Sequence, residues 1–457
     1  HDFASPAGPM IGPDAALARC HDLVELARAA GADAADAVAS ASSSESVSVR
    51  LGALEEVERS ESEEIGLRVF VGRRSASIAT SDFGGEGLRM LAQRAVEMAR
   101  LAPEDPYGGL APADALFQGD GVELELSDGA EPRPEDLRGA ALATEDAARA
   151  VAGVTNSNGG SASASQSVFA LVTSTGFARA RAGGSHSLSA SVVAGEGGDK
   201  QTDYAYRTQR HRSDLPDPAG IGREAGERAV RKVAPGSLPS GRMSVVFDPR
   251  VGGGIVGHLL GAMTGPAIAR KASFLIDREN ERLFDNGIRI VEDPLRPRGL
   301  RSRNYDGEGI ASVPRALVEG GRVTRWLTNV ASAAQLDLPL TGHASRGSGG
   351  APGVAPANVY MEPGTASVAD LIADIEDGVY ITDLFGQGVS LVTGDYSRGA
   401  SGLRIRNGEL AGPVAEITIA GTLPEMFRAL VAADDLEFLR GIDVPTLRID
   451  GMSVAGQ

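Results

Sequence analysis

Residues 393–402, with the sequence TGDYSRGASG, hold the densest group of side chains that could do chemistry. The segment places the carboxylate of Asp395, the phenol of Tyr396, the hydroxyl of Ser397 and the guanidinium of Arg398 next to one another between glycines. These groups exceed what a plain hairpin turn requires, which predicts a functional turn after an apolar strand. The alternative is a turn that is held only by an ion pair between Asp395 and Arg398.

A second pattern consists of Gly252, Gly254 and Gly257, which follow a predicted strand and precede a predicted helix. The spacing G-x-G-x-x-G is typical of a dinucleotide-binding loop. However, residues 248–250 lengthen a turn that should be tight, and the alternation of strands and helices expected for a parallel sheet does not follow. With 59 glycines in 457 residues, the pattern also arises by chance. We therefore do not favour a dinucleotide site.

Metal and nucleophile patterns are weak when the residues are taken alone. The six histidines include no pair with the spacing of a helical zinc motif, and His258 lies in an apolar helical stretch that is typical of a core histidine. Neither Ser397 nor Ser401 completes a G-x-S-x-G nucleophile motif. Cys20 is the only cysteine, which excludes an internal disulfide and a cysteine-based zinc site.

The first half of the chain carries the helices and strands expected to position such groups. Apolar residues at helical spacing predict helices at 14–30, 86–102, 134–150 and 218–233. Alternating patterns predict strands at 47–51, 65–71, 168–172, 178–182 and 188–193. The order helix, strands, helix occurs twice, which suggests an internal duplication. Two prolines within 234–241 predict a domain boundary there.

The second half has a different pattern of short strands separated by glycine turns. Strands are expected at 244–247, 379–384, 402–405, 415–419 and 446–449, and helices at 255–263, 368–375 and 423–432. Residues 342–358 form a Gly/Pro/Ser-rich segment with His343 and Arg346, and its length predicts a functional loop.

The predicted fold is therefore α+β with two domains. Residues 10–236 form an N-terminal α/β domain with strand meanders and helices, and residues 237–457 form a C-terminal β-rich domain with few covering helices. Residues 1–9, HDFASPAGP, read like the remnant of an expression tag.

Charge and hydropathy exclude several classes of partner. The formal net charge is −17, from 44 basic and 61 acidic residues, which argues against direct binding of nucleic acid. No apolar run approaches the roughly 18 residues that a membrane-spanning helix needs. We expect a cytoplasmic protein with no membrane contact.

Several longer motifs agree in order with one known family. They are GHLLGAM at 257–263, RKASFL shortly after it, GQGVSLVTGDYSRGASG at 386–402, ITIAG at 417–421 and the final PTLRIDGMSVAGQ. Together they resemble the TldD/PmbA family, and within it the PmbA (TldE) branch, also called modulators of DNA gyrase. The resemblance covers the chain from about residue 245 to its end, and the first half is compatible with it in length and pattern.

The resemblance implies a pair of related subunits that cleaves unfolded peptides inside a closed cavity. It implies that TldD-type chains hold zinc through an HExxxHxxE-like helix and a late cysteine. In this chain the second histidine of that helix matches His258. The first histidine, the glutamate and the later acid match Gly253, Gly254 and Gly261, and no cysteine follows Cys20. A catalytic zinc needs about three protein ligands and a base, which this set does not supply.

The resemblance therefore implies a metal-free subunit that is inactive alone, with zinc in a TldD-type partner. Its expected partners are that subunit, in a heterodimer or larger assembly, and an extended peptide, with a homodimer possible in isolation. The residues expected to contact peptide or partner are Asp395, Tyr396, Ser397, Arg398, His343 and Arg346. Two alternatives stay open: a regulatory protein that acts on a protein such as DNA gyrase, and a stand-alone peptidase with a site around Ser397 and Asp395.

Overall fold

The computed structural model describes residues 10–276, 278 and 281–456, so the predicted tag remnant at 1–9 lies outside the described residues. The predicted α+β class is confirmed. The helices are α1 (Pro13–Ala29), α2 (Gly85–Leu101), α3 (Pro134–Arg149), α4 (Pro218–Arg231), α5 (Pro249–Ala262), α6 (Gly265–Ala269), α7 (Val330–Leu336), α8 (Val368–Ile372) and α9 (Leu423–Ala429).

The strands fall into two groups along the chain. The first group is β1 (Ala34–Arg50), β2 (Ala53–Val71), β3 (Arg74–Thr80), β4 (Val154–Thr173), β5 (Ala178–Ala194) and β6 (Gln201–Gln209). The second group is β7 (Gly241–Phe247), β8 (Ile290–Glu292), β9 (Arg315–Glu319), β10 (Arg322–Val323), β11 (Ala344–Ser345), β12 (Gly353–Val354), β13 (Val359–Met361), β14 (Asp377–Val389), β15 (Asp395–Arg406), β16 (Glu409–Thr422), β17 (Leu430–Ala432), β18 (Ile442–Asp443) and β19 (Leu447–Ala455).

The first sheet is antiparallel with the order β3-β2-β1-β4-β5-β6. Because side chains alternate along a strand, β1 buries Ala37 and Ala39 under α1 and α2, and Val47 and Val49 under α3 and α4. The four long helices therefore lie on one face of this sheet. They match the four predicted helices to within two residues at each end.

The topology of the first sheet agrees with the suggested duplication. The order helix, three strands, helix occurs twice, and β1 and β4, the first strands of the two units, pair antiparallel at the centre. The structure differs from the prediction at β5, which is one strand where two were expected. Gly183 and Gly184 interrupt the apolar pattern there, but both stay paired with β4.

The second half is built on a closed ring of strands. β19, β7, β14, β15 and β16 pair in that order, and β16 pairs back onto β19, so the sheet closes into a small barrel, with β17 added on β19. Its core includes Val245, Phe247, Ile381 and Ile419. The predicted helix at 423–432 was too long, because residues 430–432 leave α9 to pair with β19.

A smaller sheet, β10-β9-β8-β13-β18, flanks the barrel. The predicted loop at 342–358 contains a short pairing of β11 with β12. The face of the first sheet that carries no helices is joined to the second half by an apolar cluster that includes Val38, Leu171, Tyr305 and Ile310. The predicted boundary at 236 to 237 stays a prediction. In the described part of the chain, no helix is long and apolar enough to cross a membrane.

Candidate functional site

Helix α5 follows β7 directly, and its start is fixed by a side-chain cap. The Asp248 carboxylate accepts a hydrogen bond from the backbone N–H of Arg250 at 2.8 Å, and Pro249 occupies the first helical position. The Tyr380 hydroxyl of β14 donates to the other oxygen of Asp248 at 3.1 Å. Helix α5, in which the resemblance implies the degenerate metal positions, is therefore anchored to the barrel at its N-terminus.

The two faces of α5 differ sharply. One face buries Ile255, Val256, Leu259 and Leu260 in the core of the second half. The other face is partly accessible and carries Gly253, Gly254, Gly257, His258 and Gly261. A Cβ atom on Gly254 would meet no atom within 4 Å, whereas one on Gly261 would lie 3.0 Å from Leu391 Cδ1. Glycine has no side chain with which to hold a metal, so His258 is the only ligating side chain among the matched positions.

Residues 395–398 are not a turn, and this prediction was wrong. The chain reverses just before them, where the N–H of Gly394 donates to the Ser390 carbonyl at 2.8 Å. Asp395 then begins β15, which pairs with β14 on one side and β16 on the other. The glycines and polar residues imitate a turn, but pairing on both sides holds the segment extended.

Strand alternation separates the four predicted residues into two pairs. Asp395 and Ser397 are exposed, and Asp395 accepts a hydrogen bond from the Thr393 hydroxyl at 2.6 Å. Tyr396 and Arg398 lie on the other face of β15, the face towards α5. The Tyr396 and His258 rings meet edge to face, with centroids 6.0 Å apart at 74°. The fold therefore brings together two groups that the sequence predicted separately.

The electrostatics keep both rings neutral near pH 7. Burial lowers the pKa of His258, and the nearby charge of Arg398 lowers it further. Burial raises the pKa of Tyr396 to about 12. The Tyr396 hydroxyl is buried without a hydrogen-bond partner among the described residues. Arg398 donates through Nε to the Phe385 carbonyl at 3.2 Å.

The residues around His258 do not fit a zinc ion. Across residues 10–276, 278 and 281–456, no three His, Cys, Asp or Glu side chains come together in a group that could hold a metal. Gly253, Gly254 and Gly261 offer no donor atom at the matched positions, and the His258 ring packs against Tyr396.

His343 and Arg346, which were expected to contact peptide or partner, are both buried. His343 is 1% exposed, and its ring nitrogens contact Thr341 Oγ1 at 2.8 Å and Glu292 Oε2 at 2.7 Å. The buried Arg346 donates through Nη2 to Asp36 Oδ1 of β1 at 2.9 Å. Both side chains hold segments of the fold together, so their placement gives no support to a role in binding peptide, which stays a prediction.

An ion cluster that the sequence analysis missed fixes the first turn of α5. We call Arg250, Lys232, Asp203 and Asp383 the first ion cluster. Arg250 contacts Asp203 of β6 at 2.7 Å and Asp383 of β14 at 3.1 Å, and Lys232 contacts the same two carboxylates at 2.8 and 2.7 Å. Burial alone would lower the pKa of Arg250, but the hydrogen bond and charge of Asp203 raise it above its usual value. No sequence spacing links residues this far apart.

Comparisons with known proteins cover nearly the whole chain. Three family models match it: PmbA/TldA metallopeptidase domain 1 at residues 35–99, the central domain at 127–233 and the C-terminal domain at 240–456. The chain is 34% identical over 427 residues to "Metalloprotease PmbA" of Escherichia coli O157:H7, which covers 93% of each chain.

Two solved structures have the same fold. A protein described as a modulator of DNA gyrase, from Bacteroides thetaiotaomicron, is 25% identical with a TM-score of 0.88, over 96% of this chain and 98% of that one. TldE from Thermococcus kodakarensis is 20% identical with a TM-score of 0.84, over 96% of this chain and all of that one.

Proposed function

We propose that this chain, which belongs to the PmbA/TldD metallopeptidase family, is a subunit without a catalytic zinc that acts on peptides beside a zinc-bearing relative. The observation that carries the proposal is the accessible face of α5. There Gly253, Gly254 and Gly261 stand where the resemblance implies ligands and a base, and His258 alone keeps a ligating side chain.

Zinc chemistry explains why this face argues against activity of the chain alone. A catalytic zinc in a peptidase needs about three protein ligands, an open position for water and a base that accepts the proton. The imidazole of His258, which packs against the phenol of Tyr396, supplies at most one of these ligands and no base. In this proposal, the peptidase activity that the relatives' names describe belongs to an assembly of two different subunits, which we place in the cytoplasm.

The hairpin of β14 and β15 is our proposed contact with the partner. Phe385 and Val392 expose 48% and 58% of their surface there, and Arg398 lies between the hairpin and α5. Exposed apolar side chains close to a charge that makes no ion pair among the described residues are typical of an interface rather than of a free surface.

An extended peptide could pair with the long strand β2. β3 pairs only with residues 65–71 of β2, so residues 53–64 pair with β1 alone among the described strands. Their other edge is free for strand addition, which gives main-chain hydrogen bonds with little sequence specificity. This mode suits an assembly that accepts many unfolded sequences.

The decisive experiment measures zinc content and peptidase activity of the purified chain, alone and mixed with a TldD-type subunit. We expect substoichiometric zinc and no digestion of an unfolded peptide by the chain alone, and digestion by the mixture. Stoichiometric zinc, or digestion without a partner, would contradict the proposal and favour a stand-alone peptidase.

A double variant tests the missing ligands directly. Gly253→His with Gly254→Glu restores two of the four matched groups, but Gly261 and the absent cysteine still leave the ligand set incomplete. We expect the variant to stay inactive alone. Peptidase activity of this variant would show that fewer ligands suffice.

A further inference from the structure

An open cavity of about 640 Å³ lies between the helix-free face of the first sheet and residues 300–303 and 355–356 of the second half. Its floor is a row of hydroxyl groups. Ser62, Ser42 and Ser167 lie directly opposite one another on β2, β1 and β4, so their side chains share one face. Such a floor offers hydrogen bonds without charge.

Four arginines line the same cavity, Arg181, Arg210, Arg301 and Arg303, and the contacts of three of them show how they are held. The Arg181 guanidinium lies over the Phe169 ring at 4.4 Å and the Tyr305 ring at 5.4 Å. Arg210 donates through Nη1 to the Gly184 carbonyl at 3.0 Å. Arg303 donates through Nη2 to the Ala355 carbonyl at 2.7 Å, and its Nε is buried without a hydrogen-bond partner. Neutral groups therefore hold these cations in place.

None of the three arginines makes a direct ion pair among the described residues, although Asp306 acts on Arg181, and Glu292 and Asp306 act on Arg303, from a longer distance. The ion pairs found within 4.0 Å among the described residues involve none of them, although the whole chain carries a net charge of −17. Burial lowers the pKa of Arg181; Tyr305 partly offsets this effect, and the charges of Arg303 and Arg210 lower it further. Since guanidinium groups stay charged in proteins, an anion is the group that would compensate them.

We propose that this cavity binds a carboxylate group of a peptide, either the C-terminal carboxylate or an acidic side chain. Planar guanidinium groups match the two oxygens of a carboxylate, and the serine hydroxyls can donate to the same oxygens. A volume of about 640 Å³ falls in the range of ligand pockets and accommodates a short segment of peptide. The choice of a peptide as the ligand rests on the proposed function.

Binding can be measured with short peptides of Gly, Ala and Ser that carry an uncharged coumarin label at the N-terminus. We use three forms: a free C-terminal acid, a C-terminal amide, and the amide with one internal Glu. Fluorescence anisotropy should show the two carboxylate-bearing peptides binding about tenfold more tightly than the plain amide. Equal affinity for all three, or binding of inorganic phosphate in preference to the acids, would overturn the proposal. The difference between the first and third peptides separates the two sources of carboxylate.

Arginine variants test whether this cavity is the binding site. Arg181→Gln and Arg303→Gln should each weaken carboxylate binding about tenfold, whereas Arg89→Gln on the exposed side of α2 should leave it unchanged. If both cavity variants bind like the Arg89 variant, the carboxylate sits elsewhere and the proposal fails.

A variant that places a carboxylate inside the cavity tests the proposal without removing an arginine that the fold needs. A Cβ atom on Gly183 would lie 3.3 Å from Arg210 Nη1 and 3.4 Å from Ser167 Oγ, so both groups lie beside Gly183. Ser167→Asp should abolish carboxylate binding and melt at a higher temperature than Ser167→Asn, which has the same shape without the charge. A lower melting temperature for Asp than for Asn, with binding intact, would contradict the proposal.

The carboxylate-binding proposal and the proposal of a zinc-free subunit can be refuted independently. Loss of carboxylate preference leaves zinc content and partner-dependent activity as they were measured. Peptidase activity of the chain alone would refute the zinc-free role without changing the affinities of the three peptides.

Discussion

Two charged regions join the first sheet to the second half, and they differ in whether their cations are paired with carboxylates. The first ion cluster has two cations and two carboxylates, each within 3.1 Å of an opposite charge. In the arginine cavity, Arg181, Arg210 and Arg303 contact carbonyls and aromatic rings and make no direct ion pair among the described residues. Buried charges are tolerated when they are paired, so the balanced cluster is complete as it stands. The unbalanced cavity is complete only with an anion.

A second buried cluster, with two arginines and two acidic residues, shows that arginines at this junction can be held by acidic side chains. Asp36 on β1 contacts Arg68 of β2 and Arg346 of the second half, and Glu308 lies 3.9 Å from Arg68. Two cations and two acids again meet in a buried place. The same two parts of the chain therefore meet through paired charges where the contact is structural.

The largest expected effect comes from breaking the first ion cluster. Arg250→Met keeps most of the side-chain volume but leaves Asp203, with 1% of its side chain exposed, paired only with Lys232. We expect a loss of about 3 kcal/mol in the free energy of unfolding, measured by urea denaturation. Arg89→Met, which removes an exposed ion pair with Glu86, should cost less than about 1 kcal/mol. Equal losses would show that the cluster is not structural.

The second cluster should make the stability of the chain depend on pH. Burial raises the pKa of Glu308 to about 7 from 4.5, with Arg68 opposing the shift. The folded state therefore binds a proton more tightly than the unfolded state between these two values. The contribution of Glu308 to stability is present below pH 4.5 and is lost as the pH rises to about 7.

The variant Glu308→Gln isolates this contribution. Relative to the parent chain, it should gain about 1–3 kcal/mol in the free energy of unfolding between pH 5 and pH 8. Glu86→Gln, at an exposed position, is the control and should show no such trend. Burial would raise the pKa of Asp36, but Arg68 and Arg346 lower it below 3.8, so Asp36 stabilises the folded state throughout pH 5 to 8 and loses this contribution only as the pH falls below 3.8. A difference between Glu308→Gln and the parent that does not change with pH would show that Glu308 is charged throughout this range.

Local patterns predicted the elements whose contacts lie close in sequence. α2 was placed within one residue because its apolar residues repeat at helical spacing, and that face is the one it buries. Within β15, the apolar pattern predicts the strand at 402–405, whereas the glycines and hydroxyls before it imitate a turn, and only pairing with β14 and β16 makes residues 395–401 a strand. The sequence therefore predicts an element well where its own residues decide its conformation.

The candidate sites differ in how much of each could be predicted from the sequence, because some of them form only through contacts between distant residues. His258 and the matched glycines could be found because one helix carries them all. The meeting of His258 with Tyr396, 138 positions later, could not be found from spacing. Arg181, Arg210 and Arg303 lie in three separate segments with no shared pattern, so only the fold brings them to one cavity.

The smallest expected effect comes from two tyrosine hydroxyl groups, one with a hydrogen-bond partner and one without. The Tyr380 hydroxyl donates to Asp248 at the start of α5, whereas the Tyr396 hydroxyl is buried with no partner among the described residues. Tyr380→Phe should cost about 1 kcal/mol in the free energy of unfolding, and Tyr396→Phe should be neutral or stabilising by up to about 1 kcal/mol, because a buried polar group without a partner is itself unfavourable. Urea denaturation of the two variants side by side measures the difference. An equal loss in both would mean that Tyr396 has a partner in the free chain, and the inference from unmatched polar groups to a missing ligand would lose its basis here and in the arginine cavity.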